Sequence, residues 1–228
     1  MASSGTRIRF VLFGASMVGV LGCGGSSSFR PTAAAKPLIV KHAVMFAQRT
    51  FDPNSPPSDM PPLSEGENAE CESNFTSDAS VTGKTQRVDA THALVTIANV
   101  RVSLGLNITI WVPVGVSGHV VEHEQGHRHI SERYYETADK LAERIASGYL
   151  GRSQEVTGSD LDASANKWLE QVAAEITADY NDQLDSNRAQ AVFDNITDHS
   201  RNDVAAEDAV ARALKDVAAA GEVGSPDP

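Results

Sequence analysis

Cysteine is almost missing: Cys23 and Cys71 are the only two in 228 residues, which leaves room for one disulfide at most. Positive charge is also scarce. Lys and Arg number 19 against 30 Asp and Glu, a formal net charge of −11, and no basic cluster interrupts the imbalance. That excludes an electrostatic footprint for nucleic acid. No internal repeat is present, and the longest apolar run, Phe10 to Leu21, is too short to span a bilayer. What remains is an ordinary globular composition, 41% hydrophobic and 21% charged, long enough for one sizeable core.

The N-terminus reads as an address. Arg7 and Arg9 precede the apolar stretch, which ends in Val20-Leu21-Gly22-Cys23. This resembles a bacterial lipobox and implies cleavage of residues 1–22 and acylation of Cys23, with a plain secretory signal as the alternative. A multiply acylated end anchors a chain to a membrane. The expectation is therefore a lipoprotein of the cell envelope, facing the periplasm or the exterior. Residues 23–37 form the lipidated cysteine and a Ser- and Gly-containing tether, 38–202 the folded domain, and 203–228 a C-terminal helix and tail. If Cys23 carries lipid, Cys71 has no partner.

Within the domain, Leu38 to Phe46 predicts a first strand, and the proline-crowded 52–70 a long loop. Alternation in HALVTIANVRVSL predicts another strand. Asn107 to Val114 (NITIWVPV) predicts an edge strand, because Pro113 suits a sheet edge better than its centre. Ser117 and Gly118 begin a helix expected to reach Ser147, stopped by Gly148. A second helix is expected from Asp160 to about Arg188, and a third from Val204 to Ala220. Strands first and helices after predict an α+β fold, with a small antiparallel or mixed sheet whose edge strand lies beside a long helix.

That long helix carries GHVVEHEQGHRH, four of the seven histidines. His119 to His123 spells H-x-x-E-H, and His123 to His127 spells H-E-x-x-H. At about 100° per residue, Val120, His123, His127, Ile130, Tyr134, Ala138, Leu141 and Ile145 fall on one arc about 80° wide. Glu122 and His129 point away and Glu124 borders the arc, which selects H-E-x-x-H. Imidazoles four residues apart can reach one ion, and the neighbouring glutamate can act on a water as general base. Gly126 costs about 1 kcal/mol in a helix interior relative to Ala, so another backbone or a substrate is expected close to it. Against this stands the bland reading of a polar helix face that spells the motif by accident.

A catalytic zinc needs a third protein ligand. Six residues after His127 stands Arg133, and Glu136 lies about 13 Å along the same helix, out of reach. The segment FDNITDHS, residues 193–200, offers His199 first, with Asp194 and Asp198 behind it. His42 and His92 are weaker rivals. An ordinary polar turn explains the segment equally simply.

Taken together, HEQGHRHI, two long helices and FDNITDHSRN resemble a bacterial family of secreted, predicted zinc-dependent proteases of HExGH type, domain of unknown function 922. That family pairs H-E-x-G-H with a downstream Tyr-Asp-x-x-Thr-x-His-Gly. Asp194, Thr197 and His199 match it, while Phe193 and Ser200 replace its tyrosine and glycine. The resemblance implies a zincin-like fold, Zn2+ held by His123, His127 and His199, Glu124 as catalytic residue, and Asp194 and Thr197 in support. It also implies a peptide or protein substrate. Hydrolysis of another bond, such as a cell-wall cross-link, fits the same residues. So does a non-catalytic envelope lipoprotein whose ion is structural, its shell completed by His119 or His129. Three Asn-x-Thr sequons, at Asn74, Asn107 and Asn195, read as chance in such a chain.

Overall fold

The structure is a computed structural model, and it describes residues 8–12, 36–63 and 67–222. It is α+β. Nine of the elements build the domain body: β2 (Leu38–Lys41), β3 (Met45–Phe51), β4 (Glu70–Arg87), β5 (His92–Pro113), α1 (Gly118–Glu136), α2 (Ala138–Ser147), β6 (Ser153–Thr157), α3 (Leu161–Gln183) and α4 (Asn187–Thr197). A short β1 (Ile8–Leu12) precedes them and α5 (Ala206–Glu222) follows.

The sheet is open and is organised around one strand. β5 runs antiparallel to β4 along nearly its whole length, with a register shift between Thr82 and Gly83. Its other edge receives β6, β2 and β3 in succession, opposite residues 92–96, 101–104 and 107–113. β2 and β3 are parallel to β5, and β1 is parallel to β4 at Ser73–Ser77. Residues 107–113 are therefore the centre of a three-strand section and not an edge, which corrects the expectation raised by Pro113. Proline is tolerated there because it is the last residue of the strand.

Three other expectations change. The single strand over residues 38–46 is two, interrupted at 42–44. There Tyr135 of α1 places its hydroxyl 2.9 Å from the carbonyls of both His42 and Leu104. The single helix to Ser147 is broken at Thr137, so α2 turns to bury Ala138, Ala142, Ile145 and Ala146. The second helix stops at Gln183, and α4 is a separate element. β4 was not foreseen. Its inward residues are Cys71, Ser73, Phe75, Ser77 and Ala79, too small and polar to read as an apolar alternation. The helices satisfy them instead: Ser73 Oγ meets Ser131 Oγ at 2.8 Å, and Ser77 donates to Asn181 at 2.7 Å. Cys71 is buried and free, and burial pushes its thiol well above the ordinary range.

The main core lies between the sheet and α1–α3, with Phe75, Val102, Leu104, Leu106, Ile108 and Ile176 at its centre. A smaller cluster joins Ile130 of α1 to Ala189 and Phe193 of α4 and to Ala209 and Ala213 of α5. The two alanines let α5 approach closely and press α4 onto α1. Cys23 and most of the expected leader lie outside the described residues, while Ile8–Leu12 within that leader forms β1. Among the described residues no helix is long and apolar enough to cross a membrane.

Candidate metal centre

Ser117 caps α1, its side chain accepting from the Val120 amide, and the next turns carry the histidines inward. His123, Glu124 and His127 are buried, at 3%, 2% and 2% exposure, while Glu122 and His129 are exposed. The helix phase read from the sequence holds, with His123, Glu124 and His127 on the buried face. His119 is spent elsewhere, its Nε2 donating to the Asn202 carbonyl at 2.8 Å. His42 bonds Ser103, and His92 pairs with Asp89, both at exposed positions. Neither belongs to the cluster.

The third donor is Asp194. Its Oδ1 lies 2.9 Å from Nε2 of His127 and 3.5 Å from Nε2 of His123, and those two nitrogens are 3.2 Å apart. Ligands of a tetrahedral ion at about 2.0–2.1 Å are separated by about 3.3 Å, so the three edges of this triangle have the size a zinc-like ion requires. His199, expected as the ligand, stands one layer out: its Nδ1 is 3.9 Å from Asp194 and 3.0 Å from Glu67. The reason is chain direction. Asp194 sits on α4 and faces α1, whereas His199 follows the helix end in a turn of three consecutive left-handed residues, Asp198, His199 and Ser200. Each such conformation costs roughly 1–2 kcal/mol without glycine, so surrounding contacts must hold the turn. Asp198 is exposed and takes no part.

Hydrogen bonding around the histidines determines which nitrogen is bare. Gln190 donates its amide to the His127 carbonyl and to Ser131 Oγ, at 3.2 and 3.1 Å, so its Oε1 must accept from Nδ1 of His127 at 2.7 Å. Thr197 donates to the Phe193 carbonyl at 2.9 Å, leaving its oxygen to accept from Nδ1 of His123 at 3.2 Å. In the neutral form of each ring Nε2 therefore carries the lone pair, and the two Nε2 atoms point at one place, the arrangement outer-shell partners impose on metal-binding imidazoles. Asp194 points there too. Its Oδ1 pairs with Nε2 of His127 at 2.9 Å, and neither carboxylate oxygen has a hydrogen-bond partner of good geometry. Burying a carboxylate costs several kcal/mol unless a positive charge or hydrogen bonds offset it. Three buried donors with nothing between them but one another fit a cation.

Without a cation the charges are strained. Burial and the neighbouring His127 hold His123 down at about 3. For His127 burial opposes protonation, but the Asp194 carboxylate more than reverses it, with help from Glu124 and Gln190, and lifts it to about 9. Burial raises Glu124 to about 8, opposed by His127 and reinforced by Glu67, Glu70 and Asp194.

Gly126 is explained by a side chain rather than by the expected backbone or substrate. A Cβ there would lie 2.3 Å from Cζ of Phe193. That ring stacks on His123, with centroids 5.0 Å apart, and sets its edge against His127 at 4.9 Å. The sequence reading missed Gln190 and Glu67. Gln190 lies four residues before Asp194, one turn along the same face of α4. Nothing local singles out Glu67, which reaches the site only through the path of the chain into β4.

The fold and site thus define an α+β protein with a buried two-histidine, one-carboxylate cluster able to hold a metal ion. No family model, no curated protein and no solved structure matches the chain.

Proposed function

We propose that the chain is a zinc-dependent metallopeptidase of the bacterial cell envelope, with His123, His127 and Asp194 as ligands and Glu124 as general base. The observation that carries the reading is the convergence of two buried Nε2 atoms and a buried carboxylate beside a buried glutamate. The resemblance to the HExGH protease family and the expected lipid anchor point the same way.

A zinc ion held there supplies a Lewis acid that polarises a peptide carbonyl and acidifies water. Glu124 takes the proton of the attacking water as the new C–O bond forms. It then returns that proton to the leaving nitrogen as the C–N bond breaks. Its affinity for protons, raised by burial and lowered by any nearby cation, suits both transfers. Gln190 and Thr197 hold each ring's proton at Nδ1, which leaves Nε2 for the ion, and keep the rings correctly turned. Cleavage before Cys23 removes β1 and uncovers the β4 edge at Ser73–Ser77, while α1 packs on the neighbouring sheet face through Ser131. An extended peptide can add to such an edge.

The test is Glu124→Gln. The variant is expected to retain zinc at the wild-type stoichiometry and to lose peptide hydrolysis by about 10²–10⁴-fold. Undiminished hydrolysis by this variant rules the mechanism out. A second reading, a non-catalytic lipoprotein with a structural ion, is favoured by one observation: the cluster is enclosed, and Glu67 stands beside it as a fourth donor.

A further inference from the structure

The inference concerns Glu67 and rests on the peptidase reading. A carboxylate oxygen of Glu67, one of Glu124 and a ring nitrogen of His123 all lie within 4.8 Å of one another. His123 is common to this group and to the His123/His127/Asp194 cluster, so Glu67 lies next to both the cluster and the general base. A scissile carbonyl has to enter between the ion and Glu124. A carboxylate within 4.8 Å of both His123 and Glu124 competes for that space.

Two features hold it there. Oε1 of Glu67 lies 3.0 Å from Nδ1 of His199, and the Glu67 side chain is only 8% exposed. His199 in turn is fixed by its left-handed turn, whose backbone is tied to Asp194: the His199 amide donates to the Asp194 carbonyl at 3.2 Å. His199 keeps 24% exposure, so the pair stands between the cluster and solvent. Glu67 itself belongs to no helix or strand, and β4 begins only at Glu70. Its withdrawal leaves the sheet ladder intact.

We propose that Glu67 is a displaceable stopper of the metal centre: its carboxylate fills the substrate's place between His123 and Glu124, pinned by His199, and leaves when a stronger oxygen ligand arrives. A permanent fourth ligand would make the centre structural; a removable one makes it latent.

The experiment uses the full chain loaded with Co2+, whose visible absorption reports its ligands, titrated with acetohydroxamate. Glu67→Gln keeps the size of the side chain and removes its charge; His199→Ala removes the pin. Both are expected to retain one metal per chain and to bind acetohydroxamate at least 10-fold more tightly than the wild type. Equal affinity in wild type and Glu67→Gln overturns the proposal. So does loss of the metal from Glu67→Gln, which would make Glu67 a structural ligand. Hydrolysis of a peptide library by the zinc forms is read separately. Tighter hydroxamate binding without hydrolysis keeps the stopper and removes the peptidase, and hydrolysis with unchanged hydroxamate affinity does the reverse.

Discussion

Asp194 and His199 are five residues apart, and both are chemically able to hold zinc; only their distances from the histidine pair separate them. Asp194 lies within 3.5 Å of both Nε2 atoms, while His199 pairs with Glu67 at 3.0 Å and stands 3.9 Å from Asp194. Asp194→Asn is accordingly expected to weaken zinc binding at least 100-fold, whereas His199→Ala keeps the wild-type metal content. Metal analysis after dialysis against a chelator separates the two, and the opposite ranking returns the ligand role to His199. Gln190 works through His127. Gln190→Ala is expected to lower zinc affinity 10–100-fold, the usual cost of losing an outer-shell partner, with little change in helix content by circular dichroism. Unchanged affinity would mean that the His127 ring is held by packing alone.

Among the elements, α4 decides whether a site exists, because it brings Gln190, Phe193, Asp194 and Thr197 to α1. It is held between α1 and the alanine-rich α5. At Gly126 the two helices leave no space for a single methyl, because a Cβ would lie 2.3 Å from the Phe193 ring. Gly126→Ala, which in a free helix would gain about 1 kcal/mol from propensity, is expected here to lower the melting temperature and to weaken zinc binding by displacing Phe193 and with it Asp194. A more stable variant with intact zinc affinity would show that the ring moves aside freely. Phe193 sets its face against His123 and its edge against His127, so an aromatic ring there holds both imidazoles in place.

For the whole molecule the cluster links metal, protons and stability. In the metal-free protein Glu124 is raised to about 8 and His127 to about 9 from ordinary values of 4.5 and 6.5. A group raised on folding stabilises below its unfolded pKa and loses that contribution as pH climbs through the folded one. His123, lowered to about 3, acts oppositely, but its contribution is complete above 6.5. Between pH 6.5 and 9 only losses remain. Metal-free protein is expected to melt at progressively lower temperature across that window, and zinc-loaded protein to resist the decline because the ion replaces the protons. Glu124→Gln should flatten the metal-free curve. Thermal scans at several pH values check all three, and a flat metal-free wild type counts against the charge assignment.

The helical stripe was legible from the sequence because a 3.6-residue period turns the spacing of His123 and His127 directly into a shared face. The α+β order of elements, the Ser117 start and the Gly148 stop were legible for the same local reason. β4 was hidden, since its inward positions are small and polar and become satisfied only when α1 and α3 supply hydroxyl and amide partners. The role of residues 107–113 as a central strand, the choice of Asp194 over His199 and the arrival of Glu67 depend on contacts between segments tens of residues apart. Local pattern determined which side chains could bind a cation; the packing of α4 and the path into β4 decided which ones meet.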